Sequence, residues 1–100
     1  MDKQKHIIFF TWLLPTLNAK EALFMSFMIN QFLCANRDWF LVTVDQIFKN
    51  TGLSQPQQVA IKKRLYELEI LETERRGSPP KNWYTINLYK LSEFNLEVLE

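Results

Sequence analysis

The sequence predicts an α+β fold, and three successive patterns between Thr43 and Asn87 predict it. A short stretch with helical apolar spacing stops at Gly52, and a second helical stretch without glycine follows Ser54. An alternating stretch then turns at Gly77-Ser78-Pro79-Pro80 and returns to Asn87, which is the pattern of a hairpin.

The elements follow in order along the chain. Ile7 to Leu17 is apolar, aromatic and broken by Pro15, so a strand or a short irregular helix lying on the domain is expected there. Asn18 can cap the first long helix, with Glu21 reaching back in a capping box, and nothing from Ala19 to Cys34 stops it. Asn36, Arg37 and Asp38 turn the chain, and Trp39 to Val42 reads as a short strand. Thr43 caps a helix whose apolar positions Val44, Ile47 and Phe48 share one face. Gly52 supplies the left-handed backbone that a helix C-terminus favours, Leu53 falls back to the core, and Ser54 caps the next helix with Pro56 tolerated in its first turn.

On a helical wheel from Ser54 to Glu69, Ile61, Leu65 and Leu68 define the buried stripe and Gln58 stands at its edge. Ile70 and Leu71 then close the core, with Glu72 to Arg76 as one hairpin strand and Trp83 to Leu88 as the other. Trp83 and Tyr84 point to opposite faces, so one enters the core and the other faces outward. Past Lys90, Ser92 is placed to cap a short terminal helix that buries Leu91, Phe94, Val98 and Leu99.

The stretch T-G-L-S, then Q-x-x-A-I-K-K-x-L-x-x-L, then R-R-G-x-P-x-K-N-x-Y-x-I-N resembles the winged helix-turn-helix domain of phage- and plasmid-borne replication proteins and related small regulators. The likeness runs from about Phe40 to Leu88 and departs from the pattern at Glu69, where such domains usually carry glycine. It implies a three-helix core with a small antiparallel sheet and a β-hairpin wing. The expected organisation is one domain over residues 1–100, with an N-terminal segment 1–17, a core 18–88 and a C-terminal tail 89–100.

In that architecture the N-terminal half of the second helix reads base edges, and the wing lies over the backbone or in the minor groove. Gln can bond adenine bidentately, Lys can donate to guanine or phosphate, and Val59 on a wet face suits a thymine methyl. The expected readers are Ser54, Gln55, Gln57, Gln58, Val59, Lys62 and Lys63, with Gln57 and Arg64 beside the buried stripe placed to reach either the first helix or a neighbouring phosphate. Around the hairpin tip the expected contacts are Arg75, Arg76, Ser78, Lys81 and Asn82. The plain alternative for both groups is a solvated face that binds nothing. Trp83 and Tyr84 beside basic residues could stack on single-stranded bases, although packing is the ordinary role of such aromatics.

Composition bounds these readings. A formal charge of +1 excludes a polycation that coats nucleic acid indiscriminately, so any basic face must be local. The first helix carries two apolar stripes: Ala22, Met25, Ile29, Phe32 and Leu33, and then Leu23, Phe27 and Cys34 flanked by Phe24 and Met28. Either the N-terminal segment or a second copy must cover the second stripe. Leu23, Phe24, Phe27, Cys34 and Phe94 are therefore the candidate dimer contacts, and a homodimer would match the two-fold symmetry that helix-turn-helix proteins exploit.

Two glycines leave no phosphate-cradling loop, and the single histidine, His6, has no partner at metal-ligand or catalytic spacing. No enzyme, cofactor or metal site is expected. The lone Cys34 suits a reducing compartment, and Lys3 and Lys5 ahead of Ile7 to Leu14 lack the small-residue cleavage site of a secretory signal. With no run of 18 apolar residues, the expectation is a cytoplasmic chain without a membrane partner. The leading expected function is sequence-selective binding of double-stranded DNA by a homodimer, serving replication initiation, partition of a mobile element or transcriptional regulation, with a replication or partition protein as a candidate partner. The alternative is a protein-interaction module that uses the apolar first helix and the C-terminal tail.

Overall fold

A computed structural model describes residues 8–14 and 16–99, and side chains through Glu93. His6, Ile7 and Pro15 lie outside the described residues, and so do the side chains of Phe94, Val98 and Leu99. The described part is α+β. A short 3-10 helix at Thr11–Leu13 is followed by α1 (Ala19–Ala35), β1 (Phe40–Leu41), α2 (Val44–Thr51), α3 (Gln55–Glu67), β2 (Leu71–Arg76), β3 (Lys81–Ile86) and α4 (Leu88–Leu99). The strands form one antiparallel sheet in the order β1-β3-β2. This arrangement is compatible with a winged helix. Among the described residues no helix is long and apolar enough to cross a membrane.

Each of the first three helices starts on a reciprocal capping box, Asn18 with Glu21, Thr43 with Gln46 and Ser54 with Gln57. These short-range pairs satisfy backbone donors that a helix start leaves open, which is why the starts fall where the sequence places them. The fourth start differs from the expectation. Asn87 Oδ1 accepts from Lys90 N at 3.2 Å, so α4 begins at Leu88, and Ser92 lies inside the helix with its Oγ donating to the Tyr89 carbonyl. Leu88 consequently leaves the strand it was expected to end, and β3 begins earlier, at Lys81.

α1 is the centre of the core. Every residue from Phe24 to Ile29 is buried, which is more than a full turn, so the helix is covered on all sides there. The N-terminal segment supplies one cover. Phe10 N donates to Ser26 Oγ at 3.0 Å, and Asn30 Nδ2 donates to the Ile8 carbonyl at 3.0 Å and to the Ser26 carbonyl at 2.7 Å. Leu13 and Leu17 are buried beneath this segment's turns, and Phe10 and Trp12 pack against the same core. The region expected as strand or irregular helix is therefore an irregular helical cover, hydrogen-bonded to the two polar residues of α1 that break its apolar surface.

That cover decides the fate of the candidate dimer contacts. Phe24 and Phe27 are buried within one chain, so neither can face a second copy while the segment stays in place. Leu23 is half-buried, Cys34 is exposed, and Leu33, beside it, is 64% exposed. Phe94 falls among the side chains outside the described set. A second departure is Phe48, expected on the buried face of α2 but 52% exposed, while Ile47 alone on that helix is buried. Over its eight residues, little more than two turns, α2 buries a single position.

Two helix ends use left-handed backbone. Gly52 closes α2 at φ +78°, where glycine carries no steric penalty. Glu69 follows α3 at φ +65°, the conformation that glycine would take with less strain. Its N–H donates to the Tyr66 carbonyl and Ile70 N–H to the Leu65 carbonyl, which ends the helix and returns Ile70 to the core. Opposite stability effects are expected at these two sites. Gly52→Ala should cost about 1–2 kcal/mol although no atom lies within 4 Å of the added methyl, and Glu69→Gly should stabilise the fold by up to about 1 kcal/mol. Urea unfolding of both variants checks this, and a destabilised Glu69→Gly would mean that left-handed strain is not what that residue contributes.

Candidate nucleic-acid interface

α3 and the β2–β3 hairpin form the surface on which most of the expected contacts fall. The helix buries Gln58, Ile61 and Leu65, which leaves Gln55, Pro56, Val59, Lys63 and Tyr66 exposed along its outer side. Val59 is 59% exposed on the same side. Ser54 and Gln57 are occupied at the helix start. Ser54 Oγ accepts from Gln57 N at 3.4 Å and Gln57 Oε1 accepts from Ser54 N at 2.8 Å. Arg64 reaches the first helix, with its Nε 3.7 Å from Glu21 Oε2, the contact that its place beside the buried stripe allowed.

Gln58 is a correction. It was expected to reach a groove, but its side chain is fully buried, and Nε2 donates to the Val44 carbonyl at 3.1 Å and to the Leu53 carbonyl at 2.9 Å. Its Oε1 finds no partner among the described residues. The amide therefore ties α3 to α2 and to the glycine turn, and it cannot read a base without leaving the core.

Strand register sorts the hairpin into two faces. Thr73 pairs with Tyr84, Arg75 with Asn82 and Arg76 with Lys81, and side chains directly opposite one another share a face. Tyr84 is buried and its hydroxyl accepts from Lys62 Nζ at 2.7 Å, while the Tyr66 hydroxyl is hydrogen-bonded to Thr73 Oγ1. The face that carries Thr73, Arg75, Asn82 and Tyr84 is thus the one turned toward α3. Arg75 Nη1 donates to Asn82 Oδ1 at 3.5 Å and is otherwise open to solvent.

Arg76 lies on the other face and is engaged there. Its guanidinium sits 4.8 Å from the Trp39 ring centroid and 5.6 Å from that of Trp83, and it is paired with Glu74. Arg37 approaches the same Trp83 ring at 5.9 Å. These cations cover the outer face of the hairpin between Trp83 and the turn. Trp83 is half-buried under them while Tyr84 enters the core, so the expected split between the two aromatics is borne out. Ser78 and Lys81 are exposed at the tip.

The electrostatics of the α3-facing side follow from partial burial. Burial pushes the Lys62 ammonium below its ordinary range, with Tyr66 opposing the shift, and burial raises the Tyr84 and Tyr66 hydroxyls. Lys62, expected as a free groove contact, is half-buried and directs its ammonium to the Tyr84 hydroxyl. Tyr66, Thr73, Tyr84, Trp39 and Arg37 were not among the expected contacts. Their signal was present in part: Lys62 and Tyr66 stand one helical turn apart, and strand alternation links Thr73 to Arg75 and Tyr84 to Asn82. What was missing was the register that brings the two series together.

Among the described residues no cluster of three or more His, Cys, Asp or Glu is placed to hold a metal ion. Comparison of the chain with protein-family models, curated sequences and solved structures gives no match. The reading of the interface therefore rests on its own geometry.

A stability outcome separates the anchor from the contacts. Gln58→Ala removes the donor from two interior carbonyls and opens a cavity, with an expected cost of about 2–4 kcal/mol in urea unfolding. A Gln58→Ala protein as stable as the parent but impaired in binding would return this residue to the reading surface.

Proposed function

We propose that the chain is a winged helix-turn-helix protein that binds double-stranded DNA sequence-selectively, with α3 as the recognition helix and the β2–β3 hairpin as the wing. The observation that carries this reading is the placement of unpaired charge. Among the described residues Lys49, Arg64, Arg76 and Lys90 are ion-paired and Lys20, Arg37, Lys62, Lys63, Arg75 and Lys81 are not; of these, Lys63 on the outer side of α3, Arg75 on the α3-facing strand face and Lys81 at the hairpin tip are exposed on the candidate surface. A small set of open cations beside Gln55 and Val59 supplies phosphate contacts next to groups suited to an adenine edge and a thymine methyl.

In this reading Gln55, Val59 and Lys63 enter the major groove, and Arg75, Ser78, Lys81 and Asn82 meet the backbone or minor groove. The processes such a protein would serve are replication initiation or partition of a mobile element, or transcriptional regulation. We further propose that it works as a homodimer, since one copy of so small a basic surface gains little from counterion release. Leu33 of the first stripe and Cys34 of the second are both exposed at the C-terminal end of α1, and they are the apolar surface such a dimer would use. The same patch would serve a protein-interaction module if DNA binding failed.

Selection from a random duplex pool, followed by fluorescence anisotropy, tests the reading, and a protein that prefers no duplex over bulk DNA at moderate salt would sink it. Lys63→Ala should weaken the selected duplex by about 1–3 kcal/mol if it touches a base. Arg75→Ala should weaken all sequences alike and reduce the slope of log affinity against log salt by about one, whereas Arg76→Ala should leave that slope unchanged. Equal slopes for the two arginine variants would contradict the assignment of faces. Sedimentation of the parent and of Leu33→Glu should show a dimer that the new charge dissociates, and a monomer in both would remove the second copy.

A further inference from the structure

Two residues one turn apart on α3 grip two residues directly paired in the hairpin. Lys62 Nζ donates to the Tyr84 hydroxyl at 2.7 Å, and the Tyr66 hydroxyl is hydrogen-bonded to Thr73 Oγ1, while Thr73 and Tyr84 are register partners. Tyr84 is fixed in turn, because β3 is the central strand and Tyr84 is paired to Phe40 on one side and Thr73 on the other. A two-point attachment between a helix and a strand pair resists rotation about either point alone. It lies beside the open contacts, with Lys63 next to Lys62 on the helix and Arg75 and Asn82 two residues beyond Thr73 and before Tyr84 on the strands, roughly 7 Å toward the tip.

We infer that Lys62 and Tyr84, with Tyr66 and Thr73, form a latch that sets the angle between the recognition helix and the wing, so that Lys62 is a positioning residue and not a DNA contact. The inference rests on the duplex-DNA reading for its consequence, though the latch itself is a property of the free protein. Half-burying an ammonium opposes its charge, and an apolar side chain of the same length would pack there at lower cost, so the hydrogen bond to Tyr84 is the gain specific to lysine. The angle matters because α3 reads bases while the wing holds phosphates, and only the correct spacing lets both act on one site. On bulk DNA no such register is required.

The test uses Lys62→Met, which keeps the stem and removes the ammonium, Tyr84→Phe, which removes one buried hydroxyl, and the double variant. Each single variant should weaken the selected duplex by roughly three- to tenfold, the scale of one net hydrogen bond, with bulk-DNA affinity and salt slope unchanged. The double variant should be no worse than either single one, because both remove the same interaction. In the free proteins, amide hydrogen exchange of residues 73–84 should quicken in all three, with the exchange of α1 amides unchanged.

A silent Tyr84→Phe beside a defective Lys62→Met would overturn the latch and make Lys62 a direct contact, through phosphate if the salt slope falls and through a base if it does not. Unchanged hairpin exchange would overturn it whether or not duplex binds. Failure of the parent protein to select any duplex would end the DNA reading by itself and leave the exchange measurement to decide the latch.

Discussion

The all-round burial of α1 is the constraint on which the rest of the structure depends. A helix that is apolar on two sides cannot sit at the surface of a small protein, so other elements must close around it. Here α2 and α3 pack on one part of it, the sheet on another, and the N-terminal segment on the side interrupted by Ser26 and Asn30. Those two polar residues make the last cover specific. Their side chains pair with the backbone of Phe10 and Ile8, so a loop that could have slid over an oily surface is pinned at two points. With Ile47 of α2 and Ile61 and Leu65 of α3 committed inward, the opposite sides of these helices are left at the surface.

Local chemistry made most of the secondary structure legible. Asn18 with Glu21, Thr43 with Gln46 and Ser54 with Gln57 are pairs three residues apart, and their hydrogen bonds need no information from elsewhere in the chain. Gly52 and the Gly77-to-Pro80 turn are equally local. Where Ser92 misled, the cause was a stronger local competitor: Asn87 lies closer to the end of β3 and accepts from Lys90 N, so the helix begins before Ser92 is reached.

The candidate interface was legible by helix face and illegible by strand face. Exposed Gln55, Val59 and Lys63 follow from the wheel because Ile61 and Leu65 fix its orientation. Gln58 escaped because a glutamine at a stripe edge looks wet until two interior carbonyls are found aimed at it. Arg75 and Arg76 are chemically alike and adjacent, and only the pairing of Thr73 with Tyr84 puts one on the α3 side and the other between Trp39 and Trp83. Phe24 and Phe27 looked available to a second copy because the sequence does not say how far the N-terminal segment reaches. Its reach is set by Asn30, 22 residues from Ile8.

Local charge placement matters more in this chain than total charge. At a formal +1 the protein has almost no long-range pull on a phosphate backbone, and an exposed cation tied to a carboxylate contributes even less to it. Pairing Arg64 with Glu21 and Arg76 with Glu74 therefore quiets the helix's inner edge and the hairpin's outer face. Among the described residues Lys63, Arg75 and Lys81 are the exposed cations on α3 and the hairpin that no ion pair engages. Under the proposed DNA reading such a surface would hold arbitrary duplex poorly, and that weakness would favour selectivity: when few phosphates are neutralised, the non-specific background is low and each correct base contact makes up a larger share of the total. Geometry then has to supply what charge does not. A loosely hung hairpin would scatter those few cations, whereas Arg37 and Arg76 on the tryptophans engage its outer face and Lys62 on Tyr84 its inner one.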